Sequence, residues 1–140
     1  MKGQSSAEML ILIGGILISI AAMIYLGTSS NEGAGVMQAA RDGAENAIST
    51  IDATYGCSID IDNLSFNAGT ITIRVAAVNA PPSGITWDNF SENTIENNIR
   101  TGALKYISNA IGGYFPTTAA PVTTSYYTYD VVVETRRVTR

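Results

Sequence analysis

The sequence predicts an α+β chain: a long N-terminal hydrophobic α-helix followed by a small antiparallel β-sheet head. Three observations predict it. Met9 to Gly27 carries no charge, and apart from the Tyr25 hydroxyl its only clearly polar side chain is Ser19. From Val36 onward apolar residues recur at helical spacing. Beyond Gly56, short stretches alternate apolar and polar side chains with the period of two that a half-buried strand requires. At 140 residues the chain has room for one apolar helix and one head of about a hundred residues, enough for a modest core.

Composition narrows the chemistry. Twelve acidic against eight basic side chains give a net charge of −4, which argues against a nucleic-acid backbone as partner. There is no histidine, and Cys57 is the single cysteine, so an internal disulfide and a Cys/His zinc site are both excluded. Without His or a CxxC pair the common nucleophile–base arrangements fail, and no phosphate-cradling glycine motif is present. The sequence therefore points away from an enzyme, with no catalytic residues, no cofactor and no metal. Cys57, beside strand-like residues, reads as a small buried apolar group, although it could cross-link two subunits.

The amino end admits three readings. As a helix, Met9 to Gly27 would cover about 28 Å, close to the ~30 Å hydrocarbon thickness of a bilayer. An ordinary secretory signal would use Lys2 as its basic lead and be cut after Ser19-Ile20-Ala21. The apolar continuation Met23-Ile24-Tyr25-Leu26 and the acid at Glu8 count against it. A permanent single-pass anchor, with Lys2 in the cytoplasm, would make the chain a monomeric surface binding protein. A cut after Gly3 would instead leave the whole apolar helix on the mature protein.

Gln4, Ser6, Glu8 and Leu12, following Lys2-Gly3, fit the pattern Q-x-S-x-E-x-x-x-L. This resembles the class III signal peptide of archaeal type IV pilins, notably those of methanogens; archaellins share its logic. The resemblance covers about the first 27 residues. It implies a type IV pilin-like fold and cleavage between Gly3 and Gln4 by a prepilin peptidase. It also implies extraction from the cytoplasmic membrane by a pilus assembly machinery and assembly into a homopolymeric adhesion filament at the archaeal cell surface. Residues 1–3 would be the leader and 4–27 the filament-core helix. Leu10, Leu12, Ile16, Ile20 and Ile24 would pack against neighbouring copies. Glu8, one helical turn after the new terminus, would neutralise a terminal amine inside that apolar bundle. A buried paired charge fixes register more dependably than it adds stability. Should Gln4 cyclise to pyroglutamate, Glu8 needs another donor, such as a backbone N–H at the helix start. Gly14-Gly15, Ser19, Ala21 and Ala22 would allow close helix approach, and small residues are in any case common in spanning helices.

Residues 28–56 form the next segment. Thr28 to Gly35 (TSSNEGAG) is poor in helix formers and predicts a partly unwound hinge, or a plain linker. Beyond it Val36, Ala40, Ala44, Ala47, Ile48 and Ile51 share one helical face, with Gln38, Arg41, Asp42, Glu45 and Ser49 on another. Tyr55-Gly56 ends this stem.

Residues 57–140 form the head. Cys57 to Phe66 and Thr70 to Val78 read as a hairpin about Asn67-Ala68-Gly69, with Ile71, Ile73 and Val75 inward and Thr70, Thr72 and Arg74 outward. Ala80-Pro81-Pro82-Ser83-Gly84 predicts a loop. Asn93 reads as a helix N-cap with Glu96 three residues on. Ile95, Ile99, Ala103, Tyr106, Ile107 and Ala110 repeat at helical spacing until Gly112-Gly113. Pro116 to Thr124 reads as a loop, and Tyr127, Tyr129, Val131 and Val133 alternate with Thr128, Asp130 and Glu134 in a last strand.

Three further features invite function. Asp60 and Asp62 could approach Ca²⁺, but two carboxylates fall far short of six or more oxygen ligands and read better as a solvated strand face. Tyr126, Tyr127 and Tyr129 could form an adhesive patch or pack a core. Asn63-Leu64-Ser65 and Asn89-Phe90-Ser91 are N-x-S sequons, a motif short enough that about two would arise by chance in so Ser/Thr-rich a chain. The surface location that the pilin resemblance implies makes Asn63 and Asn89 candidates for N-glycosylation in surface loops.

Overall fold

The computed structural model describes residues 2–78, 81 and 83–138, with the side chains of residues 2–7, 10 and 21–30 outside that description. The elements in chain order are α1 (Lys2–Tyr55), β1 (Ser58–Asn67), β2 (Thr70–Val78), α2 (Trp87–Asn89) continuing as a π-helical stretch (Phe90–Glu96), α3 (Asn97–Gly112), β3 (Val122–Thr123) and β4 (Thr128–Val138). The protein is α+β. It divides into two compact units, Met1–Ala34 and Gly35–Arg140.

Through the first unit the described backbone is α-helical. The unwinding expected at Thr28 to Gly35 does not occur, because α1 runs unbroken to Tyr55. Gly33 and Gly35 each weaken a helix by only about 1 kcal/mol relative to Ala, and a helix propagating from both sides carries such a load. Among the described residues no helix is long and apolar enough to cross a membrane. The described side chains before Asn31 are those of residues 8, 9 and 11–20, so much of the run from Met9 to Gly27 lies outside them.

In the second unit the amphipathic part of α1 supplies one wall of the core. Val36, Ala40, Ala44, Ile48 and Ile51 are buried and Ala47 is partly so, while Gln38, Arg41, Asp42, Glu45 and Ser49 are exposed. The face read from the spacing is the face that packs. The helix stops at Tyr55, where the Gly56 N–H donates to Asp52 O at 2.9 Å. Asp52 then accepts the Ile59 N–H at 3.5 Å, tying the helix end to the start of β1.

The sheet opposite is four-stranded in the order β1-β2-β4-β3, and it is mixed rather than antiparallel. β1 and β2 form the expected antiparallel hairpin, but β2 and β4 run parallel, with Ile71 beside Val131 and Ile73 beside Val133. A parallel neighbour needs a long crossover, and the segment holding α2, the π-helical stretch and α3 provides it. Alternation of side chains gives no strand direction, so parallel and antiparallel neighbours look alike in sequence. Ile71, Ile73, Val75, Tyr129, Val131 and Val133 all face the core. At the hairpin, Ala68 (φ +50°) and Gly69 (φ +95°) both take left-handed conformations, the turn whose twist suits the flanking strands. A Cβ on Gly69 would stand 2.4 Å from Thr128 O, so β4 passes too close for any side chain there.

The helical crossover begins earlier than Asn93. Thr86 is the N-cap, its hydroxyl accepting the Asn89 N–H at 3.3 Å, and Asn93 lies inside the π-helical stretch with its side-chain amide donating to Asn89 Oδ1. Glu96, expected to close a capping box, instead reaches β4 and accepts the Thr135 N–H at 3.2 Å. Ile95, Ile99, Ala103 and Ile107 are buried as expected, Tyr106 is half-buried, and Ala110 is exposed near the end of α3. Gly113 ends that helix at φ +79°, its N–H donating to Asn109 O. The segment Pro116 to Thr124 is not wholly a loop, since Val122–Thr123 pairs with Tyr129 and Thr128. Of the loop expected at Ala80 to Gly84, Ala80 and Pro82 lie outside the described residues, and Ser83-Gly84 forms a turn.

Candidate functional site: an uncovered apolar helix and the outer sheet face

The first candidate surface is the N-terminal part of α1. Eight large apolar side chains there are exposed: Met9, Ile11, Leu12, Ile13, Ile16, Leu17, Ile18 and Ile20. Successive helical residues point 100° apart, and Ile11, Leu12 and Ile13 expose 75%, 65% and 50% of their surface. The exposure therefore goes round the helix instead of along one stripe. Burying such side chains is worth roughly 1.5–3 kcal/mol each when complete, on the order of 10 kcal/mol for the set. A Cβ on Gly14 or Gly15 would meet nothing within 4 Å, and the Ser19 hydroxyl donates back to Gly15 O at 3.0 Å.

Of the residues expected to guide processing and assembly, Glu8, Leu12, Ile16 and Ile20 are exposed on this helix. The side chains of Gly3, Gln4, Ser6, Leu10 and Ile24 lie outside the described residues.

The second surface is the outer face of the sheet. Arg74 on β2 donates to Glu134 on β4 at 2.9 Å, and Arg136 on β4 donates to Asp62 on β1 at 3.2 Å. These four side chains, with Val75 and Thr135, line a shallow basin of about 290 Å³. Asp62 is the extra residue of a β-bulge between Ile61 and Asn63, which breaks the alternation that would otherwise relate it to Asp60. It is committed to Arg136, and among the described residues no group of three or more His, Cys, Asp or Glu could hold a metal ion.

The tyrosines divide. Tyr129 is fully buried, and Tyr127 is half-buried and meets it edge-on at 5.8 Å. Phe66 packs against both rings, so these aromatics build core more than they offer an adhesive patch. Cys57 is buried, its thiol 3.6 Å from Asp52 Oδ1. Burial pushes that thiol up from its ordinary value of 9.0, and the Asp52 charge and hydrogen bond push it further. Neither sequon lies in a loop: Asn63 is on strand β1 and Asn89 ends helix α2.

Two features escaped the sequence. Glu96 and Arg100 stand four apart in the helical crossover, and both reach the open edge of β4. Arg100 donates to Val131 O at 3.1 Å and to Asp130 Oδ1 at 2.8 Å, and Glu96 takes Thr135 N. Beyond Gly113, Tyr114 and Phe115 are exposed, with Phe115 stacked edge-on against Tyr106, whose hydroxyl accepts from Asn46 on α1. The only signal for that exposed pair is its place after a Gly-Gly helix stop. Compared with known proteins, the chain matches no family model, no curated protein and no solved structure.

Proposed function

We propose that this chain is the structural subunit of an archaeal type IV adhesion pilus, a type IV pilin-like protein that is not an enzyme. In this reading a prepilin peptidase cuts between Gly3 and Gln4 while the apolar helix is held in the cytoplasmic membrane. The assembly machinery then transfers the helix from lipid into a homopolymer at the cell surface. The observation that carries the reading is the ring of exposed apolar side chains from Met9 to Ile20. A helix apolar on every side has two stable surroundings, lipid and other apolar helices, and a filament core supplies the second without covalent links. The signal-like pattern of Gln4, Ser6, Glu8 and Leu12 supports the same reading, as does the uncharged continuation from Ala21 to Gly27.

The test uses the chain beginning at Gln4, purified in detergent and then freed of it. Filaments that sediment and are visible by negative-stain microscopy are expected, and Ile16→Asp, which places a charge in the exposed apolar ring, should abolish them. A wild-type chain that stays monomeric, or an Ile16→Asp chain that polymerises equally well, removes the reading.

A further inference from the structure

We propose that Asn63 is a site of N-glycosylation in the folded protein and that Asn89 is not, although both carry the same N-x-S motif. An N-x-S acceptor works through two side chains, the asparagine amide and the hydroxyl two residues on, so a transferase must reach both from one side. A strand and a helix answer that requirement oppositely. In a strand, residues two apart share a face; in a helix they lie about 200° apart and do not face one another.

Asn63 and Ser65 stand on β1, an edge strand of the sheet, and both are exposed. Their register partners are Arg74 and Thr72 on β2, so both belong to the outer face, while Leu64 between them is half-buried opposite Ile73. They follow the bulge at Asp62, beside the basin that Arg74 helps to line. Among the described residues no hydrogen bond engages either side chain. Asn89 is placed differently. Its Oδ1 accepts from the Asn93 side chain, and its N–H is taken by Thr86. Ser91 is 8% exposed and donates its hydroxyl to Asp88 O at 3.1 Å. Asn89 is at the surface, but its hydroxyl partner is buried on another side of the helix and already spent.

The reaction joins Asn63 Nδ2 to the anomeric carbon of a sugar diphosphate donor. The carbon–oxygen bond to the diphosphate breaks, the diphosphate leaves with the bonding pair, and one amide proton passes to a base on the transferase. In the cell this rests on the surface location of the proposed function. A glycan there would also cover the free edge of β1, the side on which no strand pairs.

The experiment is independent of that location. The full chain, folded in detergent, is incubated with a soluble N-glycosyltransferase and a nucleotide-activated glucose, and both sequon peptides are quantified by mass spectrometry. Label is expected at Asn63 with Asn89 unmodified, while the urea-unfolded chain, diluted into the same reaction, should take label at both. Ser65→Ala should lose the Asn63 label, and it alters an exposed strand residue that the core does not use. Equal labelling of the two sites in the folded chain overturns the proposal. So does an Asn63 that reacts only after unfolding, or an Asn89 that stays unlabelled even then, since the selectivity would not come from the fold. Filament formation is read separately, so failure here leaves the proposed function standing.

Discussion

Gly43 on α1 and Gly102 on α3 touch backbone to backbone. A Cβ on Gly43 would stand 2.3 Å from Gly102 O, and one on Gly102 would stand 2.7 Å from Gly43 O. The obstructing atoms are main chain and cannot swing aside, so the two helices must separate to admit a methyl group. Gly43→Ala is expected to lower stability by about 1–3 kcal/mol from overpacking, exceeding the gain of about 1 kcal/mol from better helix propensity. Gly35→Ala, where nothing lies within 4 Å, should show that gain alone and raise stability. Thermal or urea melts of the two variants check the contrast; equal effects would mean that the crossing is looser than described.

The side chains of Glu96 and Arg100 occupy the place of a neighbouring strand along β4. Removing Arg100 leaves Val131 O and the Asp130 carboxylate without that donor. The loss should be about 1 kcal/mol, since the ion pair is partly exposed and solvent screens it. The larger effect of Arg100→Ala with Glu96→Ala should be self-association through the opened edge. Light scattering and thioflavin fluorescence of the double variant held in detergent report it, and a double variant no more associated than wild type under those conditions would show that the edge needs no guard.

Cys57 gives a pH dependence of definite sign. Its folded-state value is raised above 9.0, so the folded chain keeps the thiol proton where the unfolded chain releases it. That contribution is complete below about pH 9 and is lost as pH rises through the folded value. Wild-type stability should therefore fall more steeply in alkali than that of Cys57→Ala, measured by urea unfolding from pH 8 to 10.5. Thiol labelling of the folded chain at pH 8 should be slow and should quicken in Asp52→Asn, which removes the adjacent charge. Parallel stability curves for Cys57→Ala and wild type would contradict this.

Glu8 is exposed on α1, just before the exposed apolar side chains of Met9, Ile11 and Leu12. If it sets register against an amine or helix-start N–H in a polymer, Glu8→Ala should impair assembly while leaving membrane insertion intact. Fractionation of membrane and filament material separates the two effects. Normal filaments from Glu8→Ala would show that the carboxylate has no part in register.

Much of this fold is legible in the sequence. The stem face from Val36 to Ile51, the hairpin about Ala68-Gly69 and the inward residues of β2 and β4 follow from period and turn chemistry, which are local. What was not legible depends on partners distant in sequence. The parallel pairing of β2 with β4 is decided by the crossover through α3, and a two-residue strand such as Val122–Thr123 exists only because β4 lies beside it. The Asn93–Glu96 pattern misled for the same reason: Glu96 is drawn to Thr135, 39 residues away, and Thr86 starts the helix instead. At Thr28 to Gly35 local propensity pointed to a break that the helix on either side overrides. In the candidate site the apolar run was plain, whereas the contrast between Asn63 and Asn89 required knowing which lay on a strand and which on a helix.

The most direct measurement is the amino-terminal residue of the protein recovered from filaments shed by the native cell, read by Edman sequencing and intact mass together. The expected residue is Gln4, free or as pyroglutamate, with Met9 to Gly27 retained in the subunit. A chain beginning at Ala22 or further downstream would contradict assembly through the apolar helix, and one beginning at Met1 would contradict processing before it.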